Sequence, residues 1–118
     1  SEPFVSLEEM LKGVIDKKMV SFCIRKEEEG YYKVQQIIKK FENQNWIQHA
    51  IDYALKEWTK KGMRQDSMVA YALEKITDGF EEIELASKKS NFDRAKYQNC
   101  YSEWGVQFDM VWYCYNDN

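Results

Sequence analysis

Ile47, Ala50, Ile51, Ala54, Leu55 and Trp58 recur at steps of three and four residues, which gathers them on one face of a helix and leaves the opposite face polar. Such a stripe is stable only under another apolar surface, so the chain must fold in packed layers. Asn45 stands at the expected N-cap with Gln48 three residues later, and Gly62 lies beyond the last stripe residue. A second stripe, Val69, Leu73 and Ile76, begins behind Asp66 or Ser67 and is expected to stop near Asp78 and Gly79. The link between the two is short, so these helices should pack as an antiparallel pair.

Elsewhere the periods point to strands. A capping box at Ser6 and Glu9, with Val5 and Met10 at the staple positions, opens a short helix from about Leu7 to Asp16 whose apolar residues are Leu7, Met10, Leu11, Val14 and Ile15. Met19 to Arg25 then alternates, with Val20, Phe22 and Ile24 on one face of a half-buried strand. Glu27, Glu28, Glu29 and Gly30 read as a hairpin connection into Tyr31, Tyr32, Lys33 and Val34. Tyr31, Val34, Ile38 and Phe41 also fit a helix, but aromatic and β-branched enrichment and a turn-forming glycine favour the hairpin. After Gly79, Ile83 and Leu85 alternate with Glu82 and Glu84, and residues 87–99 form a polar loop or a short irregular helix. Val106 to Tyr115 alternates again, with Val106, Phe108, Met110, Trp112 and Cys114 facing one way. The expected architecture is α+β: helices packed on a mostly antiparallel sheet of three to four strands, approximately α-β-β-α-α-β-β, in one domain spanning residues 1–118.

A chain of 118 residues with 44% hydrophobic residues and a single Pro has enough apolar area to fold on its own. Its net charge of -3 is spread evenly, so neither a polyanionic DNA mimic nor a dense basic nucleic-acid face is implied. Cys23, Cys100 and Cys114 are odd in number and fit no zinc or redox spacing, so they are expected as reduced structural thiols. No run is apolar enough to span a bilayer and the N-terminal residues do not form a leader, which points to a soluble, cytoplasmic protein.

Motifs for chemistry are weak. His49 is the only histidine; it lies opposite the apolar stripe beside Asp52, where a solvated polar face explains it better than a metal ligand or a base. Glu81, Glu82 and Glu84 ahead of Lys88 and Lys89 loosely resemble a cation site for a phosphate, but charges on a solvent-facing edge strand explain them more simply. The five glycines are isolated, so no phosphate-binding loop forms. Neither a cofactor, nor a metal site, nor a catalytic residue is expected.

Two surfaces remain. The stretch from Tyr97 to Asn118 is dense in aromatics and has no Lys or Arg; Tyr101, Trp104, Tyr113 and Tyr115 with Glu103 and Asp109 compose an aromatic, acid-rimmed surface suited to a basic protein partner or to self-association. Tyr53 and Tyr71, on the polar faces of their helices, add to that reading. Lys88, Lys89, Arg94 and Lys96 interleaved with Phe92 and Tyr97 offer the alternative, cations for phosphates and rings for stacking on single-stranded nucleic acid. The expected function is a small non-enzymatic protein-binding module, such as an adaptor, an inhibitor or immunity protein, or an assembly subunit.

Overall fold

The computed structural model describes the backbone of residues 7–117 and the side chains of residues 17–117. Five helices and one small hairpin follow in order: α1 Leu7–Lys40, α2 Ile47–Glu57, β1 Thr59–Lys60, β2 Met63–Arg64, α3 Asp66–Ser87, α4 Arg94–Trp104 and α5 Phe108–Asn116. The expected α+β sheet is therefore corrected to a helical fold, in which the described strands are two residues each and pair only with each other. Met19 to Arg25, read as a strand, and Tyr31 to Val34, read as the second strand of a hairpin, belong to α1, which runs on to Lys40. The expected capping box at Ser6 and Glu9 and the apolar stripe of Leu7 to Ile15 lie outside the described side chains.

The strand readings failed for a physical reason. In α5 nearly every residue is apolar, so alternate positions look like one face of a strand while the buried pair, Phe108 and Val111, is spaced at three. In α3 the stripe of Val69, Leu73 and Ile76 does not stop at Asp78 and Gly79 but runs on through Ile83, and Gly79 lies buried inside the helix. A Cβ there would sit 2.5 Å from the Asp109 backbone nitrogen, at the entry to α5. Gly30 likewise is no turn residue: it lies within α1, where a Cβ would sit 2.5 Å from the Ser67 backbone nitrogen at the start of α3.

That crossing fixes how α1 and α3 run. Glu27 lies one turn before Gly30, and its carboxylate accepts from the backbone N–H groups of Asp66 and Ser67 and from the Ser67 hydroxyl at 2.7 Å. Gln65 provides no side-chain cap, so Glu27 supplies from another helix the acceptor and negative charge that the α3 N-terminus lacks. Lys33 pairs with Glu74 at 2.6 Å and Lys40 with Glu81 at 3.1 Å, a step of seven residues on both helices, so α1 and α3 are parallel. These ion pairs are solvent-exposed and worth about 0–1 kcal/mol each. Burial of Val34, Val69, Leu73 and Ile76 between the layers carries more.

The short α2 returns between them as expected: Trp46, at its entry, meets Phe80 late in α3 at 4.7 Å between ring centres, and the Gln65 amide donates to the Trp58 carbonyl at the other end. Phe41, Trp46, Phe80 and Phe108 form one cluster joining α1, α2, α3 and α5, with edge or tilted contacts. The β1–β2 turn carries two consecutive positive φ angles, 54° at Lys61 and 76° at Gly62, the conformation that matches strand twist in a two-residue hairpin.

Cys100 and Cys114 form a disulfide between α4 and α5, with Cα atoms 5.8 Å apart, which corrects the expectation of three reduced thiols; Cys23 is free and exposed. The residues between the paired cysteines include both helix ends and the Gly105 turn, so the bond closes α4 onto α5.

Two outcomes are expected. Gly79→Ala should cost about 1–3 kcal/mol of stability, read as a lower urea midpoint, because overpacking against backbone outweighs the roughly 1 kcal/mol that Ala gains in helix propensity; an unchanged midpoint would mean that α3 and α5 are not in close contact there. Replacing Cys100 and Cys114 by Ser should cost about 3 kcal/mol, the loop-closure value for a ring of this size, read as a lower thermal midpoint that reductant no longer changes.

Candidate protein-binding surfaces

Among the described residues, a run of exposed apolar side chains lies on the outer half of α1. From Lys17 to Glu29 every side chain except Glu27 is exposed, including Met19 at 62%, Val20 at 58%, Phe22 at 53% and Ile24 at 54% relative accessibility. At 100° per residue, Phe22, Met19, Cys23, Val20 and Ile24 spread over about 200° of the helix circumference. Their arc continues the face that Gly30, Val34 and Phe41 turn toward α3, and it is bare because α3 begins only at Asp66, level with Glu27. The molecule extends 80 × 31 × 24 Å, and its radius of gyration is 21.0 Å, against about 13 Å for a compact chain of this length. At the foot of the bare segment, Cys23, Ile24, Glu27, Glu28, Tyr31, Tyr32 and Asp66 line an open cleft of about 570 Å³.

Sequence reasoning missed this surface by assigning Met19 to Arg25 to a strand. The available signal was negative: from Val14 to Glu29 the chain has no Gly, Pro or Asn to interrupt a helix.

The C-terminal residues expected to compose one surface are divided by the helices. Tyr113 is 71% and Tyr101 40% accessible, and Glu103 is exposed. Trp104 is half-buried against the core. The Tyr115 hydroxyl accepts from the Asp93 backbone N–H at 3.0 Å, and its ring stacks on Phe92 at 5.1 Å, so it anchors the loop between α3 and α4. Asp109 turns toward Lys75, 4.0 Å away, in a cleft of about 220 Å³ shared with Tyr53, Trp58 and Tyr71. There the Tyr53 hydroxyl donates to Gln107 at 3.0 Å, and its pKa is raised by burial first and by the nearby carboxylates of Glu57 and Asp109 second. Tyr71 stays exposed, with the Lys75 ammonium 5.2 Å from its ring centre.

The residues of the alternative nucleic-acid surface are largely engaged with their neighbours. Phe92 and Tyr97 are half-buried and 5.8 Å apart, and burial followed by the charge of Tyr101 raises the Tyr97 pKa. Lys96 donates to the Asp117 carbonyl at 2.7 Å and lies over Tyr115, while the Arg94 guanidinium lies over Phe92. Lys88 and Lys89 are exposed beyond the end of α3. Glu81, Glu82 and Glu84 are exposed on α3, not on an edge strand, and Glu81 pairs with Lys40. His49 is exposed on α2, and Asp52 accepts from Gln48 at 2.9 Å. Among the described residues no three His, Cys, Asp or Glu side chains gather as a metal site, and no helix is long and apolar enough to cross a membrane.

The division of the C-terminal surface has a direct test. Trp104→Ala should cost about 2–4 kcal/mol of stability as a partly buried large-to-small change, whereas Tyr113→Ala should stay within about 0.5 kcal/mol; equal, small effects on chemical denaturation would return Trp104 to the surface. Comparisons of the chain with protein-family models, with curated proteins and with solved structures return no match.

Proposed function

We propose that this chain is a non-enzymatic protein-binding module whose principal binding element is the outer half of α1. One observation carries the reading: a helical band of Met19, Val20, Phe22 and Ile24 stands free of the rest of the molecule, each side chain more than half accessible. Exposed apolar patches of this kind mark contact sites, and an amphipathic helix presented alone pairs by laying its apolar arc on a partner helix or groove. The exposed tyrosines Tyr31 and Tyr32 at the foot of the band extend it with rigid, amphipathic contact area. The C-terminal surface, reduced to Tyr101, Glu103 and Tyr113, is a secondary contact in this reading. An adaptor or assembly subunit is the role that such a projecting element fits best. The Cys100–Cys114 bond supports an oxidising compartment over the cytoplasmic location expected from the composition.

The test separates α1 from the C-terminal surface. A chain carrying Met19→Glu and Phe22→Glu should keep its thermal midpoint, because neither side chain is buried against the body, and should lose the partner that the parent chain retains in pull-down. Tyr113→Ala should retain it. The reverse pattern would move the binding element to α5 and overturn the reading.

A further inference from the structure

We propose that the cleft between α2, α3 and the start of α5 is a docking pocket for an arginine side chain of a partner protein. Its lining takes nothing from α1, so the proposal stands whether or not the α1 band is a binding element. Three rings, Tyr53, Trp58 and Tyr71, and two carboxylates, Glu57 and Asp109, line the cleft, and Lys75 is the one basic side chain among them. Two carboxylates against one ammonium favour a cation. Each helix contributes a part: Tyr53 and Glu57 stand one turn apart on α2, Tyr71 and Lys75 one turn apart on α3, and Asp109 lies in the first turn of α5. The Tyr53 hydroxyl, donating to Gln107 at 3.0 Å, ties the α2 wall to the entry of α5. Trp58 is held by its backbone, whose N–H donates to the Ala54 carbonyl and whose carbonyl accepts from Gln65.

Neither carboxylate has a close cation. Asp109, with its side chain 25% exposed, meets Lys75 only at 4.0 Å, and among the described residues no Lys or Arg nitrogen comes that near to Glu57. Both charges act on one point, because after burial they are what raises the pKa of the Tyr53 phenol. A part-buried carboxylate with so loose a partner gains most from an incoming charge-assisted hydrogen bond. Lys75 already shows the site holding a cation: its ammonium lies 5.2 Å from the Tyr71 ring centre and turns toward Asp109. That side chain is half exposed, so an incoming group can displace it. A guanidinium suits the site better than an ammonium, since its plane stacks on rings while its edge donates twice to a carboxylate. Volume decides between a side chain and a larger ligand. The cleft holds about 220 Å³, below the roughly 300–1,000 Å³ of pockets for drug-sized molecules, and so matches one anchor side chain.

Proton–nitrogen NMR on the intact chain tests this, with N-acetyl-arginine amide as the probe and the Trp58 indole N–H as the reporter. The arginine probe should shift that signal saturably at millimolar concentration, whereas N-acetyl-citrulline amide, of the same shape without the charge, should not. Asp109→Asn should weaken binding about tenfold and Glu57→Gln about threefold, and Lys75→Met should tighten it about threefold by removing the internal competitor. Glu57 is exposed, so Glu57→Gln keeps the fold and preserves the comparison if Asp109→Asn does not. No saturable shift with arginine would overturn the pocket, and equal shifts with citrulline would overturn its choice of a cation. Weaker binding in Lys75→Met would also overturn it, in favour of an anion held by that ammonium. A lysine probe that binds more tightly than the arginine probe would overturn the assignment to a guanidinium. Free arginine binding more than about tenfold more tightly than the capped form would overturn docking, in favour of a site for the free amino acid.

Discussion

The contact of Glu27 and Gly30 with the first turn of α3 is the constraint on which the rest of the structure depends. The α3 N-terminus has no cap of its own, and the carboxylate that satisfies it comes from the middle of α1. Gly30 lets the two backbones approach to a distance that a methyl group would not allow. Together they fix the level along α1 at which α3 begins. On the α3-facing side, Gly30, Val34 and Phe41 beyond that level are buried while residues 17–26 before it are exposed, so the same few atoms that lock the core also decide which residues are presented outward.

From that anchor α3 becomes the central helix. Its buried residues Val69, Leu73, Ile76 and Ile83 meet neighbours on several sides, and Gly79 admits α5 as Gly30 admits α1. The aromatic cluster at Phe41, Trp46, Phe80 and Phe108 closes the opposite end. Edge-on and tilted ring contacts fill that space with few rotatable bonds, which sets the entry of α2 and α5. The α4–α5 pair is held on this frame by the disulfide and by Tyr115 against the Phe92 loop.

The amphipathic α2 and the start of α3 were legible from spacing alone, because each buries one stripe and exposes the other face. α5 was not, since almost all its residues are apolar and a period of two cannot be told from one of 3.6 in so short a run. Both misplaced glycines show the same blind spot. Conformational freedom marks Gly30 as a turn and Gly79 as a helix stop, when what each supplies is the missing Cβ at a helix crossing. Glu27 fell in an acidic run assigned to a hairpin, and nothing local marks it as a cap for a helix beginning thirty-nine residues later. The aromatic C-terminus was seen correctly as an aromatic concentration, but sequence order could not divide rings that stack inward, such as Tyr115, from those left outside, such as Tyr113.

Exposure of the α1 band also says something about how strongly it can bind. Fully burying a side chain of the Val, Phe or Ile type contributes about 1.5–3 kcal/mol, and a helix crossing covers only part of each. Association itself costs about 4–15 kcal/mol in lost translational and rotational freedom. A single band of four such residues against an indifferent surface is therefore a weak contact. A partner that brings an apolar surface of its own adds its buried area to that of the band against the same single association cost. A short projecting helix therefore gains most from a partner with a complementary apolar groove or face, and such a contact remains sensitive to concentration rather than permanent.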